Sequence, residues 1–162
     1  MTDQYSVVEK GFRDYVKAQM TTYFPLVTQD VQVTKSDATV LTRGYDYYLV
    51  TYPGAFPTID REAGVRIIET NWEILVEIFS RFPKSEQDAW DRFIPFRSDL
   101  FNTINATEAG RNLNGTNGIR GCLISAEERP YYVPVNADDP DSPAAFISQV
   151  CVLNARQVIV KT

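Results

Sequence analysis

Histidine is absent from all 162 residues of the chain. Its absence removes the commonest general base at neutral pH, the Ser/His and Cys/His nucleophile pairs and the commonest metal ligand. Cysteine is scarce as well. Cys122 and Cys151 are the two in the sequence, too widely spaced for a CxxC motif and too few for a structural zinc site. Both sit in apolar surroundings and read as buried thiols in preference to a disulfide. The N-terminal MTDQYSVVEK lacks the apolar core of a secretion signal, and no stretch approaches the roughly eighteen uninterrupted apolar residues of a membrane helix. The expectation is a soluble protein made in the cytoplasm, with no membrane among its partners. Asn105-Ala106-Thr107 and Asn114-Gly115-Thr116 match the glycosylation sequon, but without secretion they indicate loop composition.

Positive charge is also short: 16 Lys and Arg stand against 21 Asp and Glu, a net charge of -5, with no basic run. That balance argues against tight nucleic-acid binding. What the chain does have is apolar residues, 44% of the total, enough at this length for one domain with its own core.

The most informative segment is 65–82, VRIIETNWEILVEIFSRF, where Trp72, Ile74, Val76 and Ile78 alternate with Glu73 and Glu77. This is a strand period. Trp72, Leu75, Val76 and Phe79 also fit helical spacing, and the sustained alternation together with the boundary at Pro83 favours the strand. Upstream, Ser6–Phe24 places Val8, Phe12, Tyr15, Gln19 and Tyr23 on one helical stripe flanked by Val16 and Met20, with Ser6 and Glu9 at capping-box spacing and Pro25 as the stop. Segments 30–40 and 42–53 (the latter TRGYDYYLVTYP) predict one or two strands in a hairpin region around Gly44, and 54–64, with Pro57, Asp60 and Gly64, predicts a loop projecting as an arm. Ser85 and Asp88 mark a second helix carrying Trp90, Phe93, Arg97, Leu100, Phe101 and Ile104, which Pro95 is expected to kink or split. The segment 105–121 predicts a mobile Asn/Gly loop, 122–125 a short strand, and 145–160 one or two closing strands. The segment 129–143, with its prolines and aspartates, cannot be a central strand. The fold expected is α+β, an antiparallel or mixed sheet covered on one face by the N-terminal helix and by the helix after the long central strand. No internal repeat is visible.

Several patterns invite chemistry. Glu73 and Glu77 would lie about 6 Å apart on a helix, within reach of a two-carboxylate mechanism. On a strand they are about 13 Å apart, which makes them a solvated face with Arg81. Gly110-Arg-Asn-Leu-Asn-Gly115-Thr116 has the glycine spacing of a phosphate loop, but Thr116 occupies the lysine position and no apolar strand precedes it. Asp138, Asp139 and Asp141 lack the glycine and distal glutamate of a calcium loop and read as a solvated acidic loop. Tyr45, Tyr47, Tyr48 and Tyr52 could stack bases or sugars, yet Arg43 is the one basic residue near them, which favours packing. Trp72 and Trp90 are expected to anchor the long strand to the following helix. None of these patterns implies a catalytic residue, a cofactor or a metal.

Five segments in this order, VEKGFRDYVKAQM, YYLVTYPGAF, NWEILVEIF, DAWDRFIPFRSDLFNTI and FISQVCVLNARQVIV, resemble the tail terminator proteins of long-tailed bacteriophages. The resemblance spans nearly the whole chain and departs from the family between residues 105 and 144, which reads as a loop insertion. It implies a non-enzymatic virion protein, assembled in the host cytoplasm, that forms a hexameric ring on the finished tail tube. Such a ring stops tube growth and meets the head connector or head-completion protein, while DNA passes through without specific binding. A head-tail connector or tail-completion subunit is the alternative, followed by an unrelated small ligand-binding or enzymatic domain. A ring needs two different patches on each subunit. Phe56, Pro57 and Ile59 on the arm and Arg111, Leu113 and Asn114 on the Asn/Gly loop are the candidates for subunit or tube contact, and Asp138, Asp139 and Asp141 are candidates for an acidic lumen.

Overall fold

The computed structural model describes residues 4–23, 31–35, 47–55, 57–62, 67–81, 85–134 and 144–160. Helix α1 (Gln4–Tyr23) is followed by strands β1 (Val31–Lys35), β2 (Tyr47–Pro53), β3 (Thr58–Glu62) and β4 (Ile67–Arg81). Then come helices α2 (Glu86–Asn105) and α3 (Glu108–Arg111), a 3-10 turn (Leu113–Gly118), and strands β5 (Ile119–Ala126), β6 (Tyr131–Pro134) and β7 (Ala144–Val160). The protein is α+β, with helices on one face of a seven-stranded mixed sheet.

The sheet is built on its two longest strands. β4 and β7 pair antiparallel from Ile67↔Val160 to Arg81↔Phe146, and each has two shorter strands set end to end along its other side. β2 and β3 share the outer side of β4, whereas β5 and β6 share the outer side of β7. The alternation in 65–82 is thus a strand, and its even positions Ile74, Val76 and Ile78 are fully buried beneath the helices. Cys151, Leu153 and Ala155 of β7 lie on the same face, as their pairing with Val76, Ile74 and Trp72 requires. They meet Val8, Phe12 and Val16 of α1 and Phe93, Phe96, Leu100 and Ile104 of α2 in one apolar core.

Several local expectations need correction. β1 and β2 pair parallel, Val31↔Tyr47 to Lys35↔Thr51, so they do not form a hairpin. Residues 58–62 of the projecting arm are strand: β3 pairs with the first half of β4 through Thr58↔Asn71 and Glu62↔Ile68. In the region read as an insertion, the short strand expected at 122–125 is present within β5, but the segment read as a mobile loop supplies α3 and the 3-10 turn, and β6 adds a further strand. Finally, Pro95 does not split α2, which is continuous over 20 residues; Pro95 is on its exposed side, where water can serve the carbonyl left without a donor. The Ser85 start holds, with Ser85 Oγ accepting from Asp88 N at 3.2 Å. The Ser6–Glu9 capping box does not form, because α1 already runs at Gln4 and Glu9 is buried, accepting a 2.6 Å hydrogen bond from Thr51 Oγ1 of β2.

Candidate functional site

The β2–β3 turn is tied to the middle of β4. Gly54 packs so closely there that a Cβ would lie 2.5 Å from the Glu73 carbonyl oxygen, which leaves glycine as the residue that fits. Glu73 then accepts from Ala55 N at 3.0 Å, so this half-buried carboxylate fastens the turn and is no freely solvated charge. Pro57 is exposed beside it and Ile59 lies in β3. Phe56 lies outside the described residues, as do Asp138, Asp139 and Asp141.

The second candidate patch is built on a single apolar anchor. Leu113 is 1% exposed and joins the main core, so it holds the turn down and cannot face a partner. It does so at φ 48, followed by Asn114 at φ 56, Gly115 at φ 79 and Gly118 at φ 78, a left-handed run that costs about 1–2 kcal/mol for each residue other than glycine. Burying Leu113 offsets that strain, with help from caps. Thr107 Oγ1 accepts from Gly110 N at 2.9 Å, Asn112 Oδ1 from Gly115 N at 3.1 Å, and Thr116 Oγ1 donates to the Leu113 carbonyl at 2.6 Å. Arg111 and Asn114 remain exposed. A groove of about 370 Å³ between α1 and this turn is lined by Lys10, Gly11, Asp14, Leu113, Asn114 and Thr116.

The two patches sit level on opposite sides of the sheet. Ile59 of β3 pairs with Thr70, Thr70 with Gln157, and Gln157 with Ile119, the residue that follows the 3-10 turn. Three strand spacings separate the ends of that rung, roughly 14 Å.

Sequence reasoning missed what happens at the sheet edge and on the face turned away from α1 and α2. Asn105, read as part of a sequon, donates from Nδ2 to the Ile124 carbonyl and accepts at Oδ1 from Ile124 N, both at 2.9 Å. Its side chain acts as an extra strand residue and closes β5 to further pairing at that point. On the other face, Glu77 accepts from Ser148 Oγ at 2.7 Å and from the Tyr131 hydroxyl. This links β4 to β7 and β6 beside a small apolar cluster of Val50, Phe79 and Phe146, with Tyr52 and Val133 against it. Burial, reinforced by the Glu77 charge, pushes the Tyr52 phenol up to about 12. Tyr52 is therefore a packing residue, while Tyr45 of the suggested stacking platform lies outside the described residues. The carboxylates of Glu73 and Glu77 serve different strands.

The two tryptophans diverge. Trp72 donates to Gln157 Oε1 at 2.9 Å and its ring lies 6.1 Å from Tyr5 of α1, whereas Trp90 donates to the Tyr132 hydroxyl at 3.0 Å and links α2 to β6. Each anchors a different helix. Among the described residues no group of three or more His, Cys, Asp and Glu side chains could hold a metal ion, and no helix is long and apolar enough to cross a membrane. Compared with known proteins, the chain matches no family model, and no curated protein is found similar to it.

Proposed function

We propose that the chain is a structural subunit of a phage tail: it forms a ring on the end of the tail tube, stops tube growth and offers the surface to which the head joins. It works by assembly and not by catalysis. The observation that carries this reading is the coincidence between the five segments resembling tail terminators and the elements that build the domain. VEKGFRDYVKAQM falls in α1, YYLVTYPGAF in β2 and its turn, NWEILVEIF in β4, DAWDRFIPFRSDLFNTI in α2 and FISQVCVLNARQVIV in β7.

A head-to-tail ring joins two unlike patches, and the β2–β3 turn and the Leu113–Gly118 turn are two such patches on opposite sides of one sheet. The net charge of -5 favours a lumen that DNA can traverse without sticking. The test is to add the tagged chain to tail tubes lacking their terminal ring and image them. Label confined to one tube end, with growth arrested there, supports the reading; label along the tube sides or none on the tube contradicts it, and capture by the head portal alone favours the neighbouring connector role.

A further inference from the structure

Arg111 and Arg120 are nine positions apart, so no basic run in the sequence marks them. The fold brings them to one place. α3 carries Arg111, the 3-10 turn reverses the chain, and Arg120 is the second residue of β5. Both line one cleft of about 500 Å³ together with Glu108, Asn112, Gly115 and Gly118. Both are exposed, and among the described residues neither arginine has an ion pair or a side-chain hydrogen bond. In a chain with 21 acidic residues, a cleft lined by two arginines and a single carboxylate residue, Glu108, has a positive balance of charge.

We propose that this cleft binds a phosphate group between Arg111 and Arg120. Guanidinium forks match tetrahedral oxyanions in pairs of parallel hydrogen bonds, which a lone lysine cannot do. Asn112 Oδ1 is committed to Gly115 N, so the donor Asn112 has left to offer is its amide NH₂. Gly115 leaves its wall of the cleft open, since a Cβ there would have no atom within 4 Å, while its N–H is spent on Asn112, so the charge must come from the arginines. This differs from a phosphate loop, since Thr116 spends its hydroxyl on the Leu113 carbonyl and the charge comes from two flanking arginines. The inference does not depend on the ring reading. The phosphate could belong to a free anion or to a nucleic-acid backbone, and the test separates these sources.

The full chain is titrated with inorganic phosphate while its backbone amides are followed by NMR, and with a labelled DNA duplex of about 20 base pairs by anisotropy between about 50 and 200 mM salt. Inorganic phosphate should shift the amides of Gly115, Gly118 and Arg120, with Arg111→Gln and Arg120→Gln each weakening binding about tenfold. If nucleic acid is the source, the duplex binds more tightly than inorganic phosphate, and the double variant lowers the salt slope by about 2. Phosphate binding without duplex binding supports a free anion. Arg129→Gln, an exposed arginine outside the cleft, should change neither. Binding of neither probe, or equal weakening by Arg129→Gln, overturns the proposal; unchanged thermal midpoints in all four variants ensure that a loss reports the site.

Discussion

At the scale of single residues, burial decides which groups can react. Cys122 and Cys151 are buried thiols whose pKa burial pushes to about 12, with Arg97 acting weakly in the opposite sense on Cys151. The thiolate is the nucleophile, so both should resist a disulfide-exchange reagent at pH 8 in the native protein and react fully once it is unfolded. Rapid native labelling would contradict this. Tyr52 gives a pH dependence with a definite sign. Its folded pKa of about 12 lies above the ordinary 10, so folding favours the neutral phenol. The stability this contributes is complete below pH 10 and is lost as pH rises toward 12. Denaturation midpoints should therefore fall between pH 10 and 12, and less steeply in Glu77→Gln, where the charge opposing phenolate formation is gone. That variant also loses charge-assisted bonds to Ser148 and Tyr131, which should cost about 1–2 kcal/mol at neutral pH in urea unfolding.

At the scale of elements, stability depends on how few anchors hold the irregular ones. Leu113→Ala should destabilise the protein by about 2–4 kcal/mol, since that side chain is the turn's hold on the core. Gly118→Ala should cost a comparable amount, because its Cβ would lie 2.4 Å from the Val158 carbonyl oxygen at a φ of 78. Asn105→Ala leaves the outward backbone of Ile124 without partners, an expected loss of about 2–3 kcal/mol accompanied by faster aggregation through the opened edge of β5. Both effects are measurable by chemical denaturation and light scattering. These are also the elements the sequence concealed. β4, α1 and α2 were legible because one apolar face repeats along each of them. β3 is not: TIDRE holds one apolar residue, Ile59, and the strand is ordered by backbone pairing with β4. The region 105–118 reads as loop because one leucine and three side-chain caps do the work that a periodic face does elsewhere. The parallel pairing of β1 with β2 depends on partners chosen across the sheet, which local propensity does not report.

At the scale of the whole molecule, local pattern did not separate buried from exposed residues within the candidate patches: Leu113 is core, whereas Pro57 and Asn114 are exposed. If these two patches meet in a head-to-tail contact, Pro57→Arg should prevent ring closure without shifting the thermal midpoint, and Asn114→Arg should prevent it with a midpoint lowered by a few degrees, because Asn114 holds φ 56, which arginine tolerates less well than asparagine. A mixture of the two variants retains one intact contact and should stop at dimers. A self-complementary interface would give no such rescue. The most direct test of the ring is native mass spectrometry of the wild-type chain over a range of concentrations, with imaging of the same samples. Six-copy species that appear as closed rings are the predicted result, whereas a stable dimer that grows no further with concentration would contradict it.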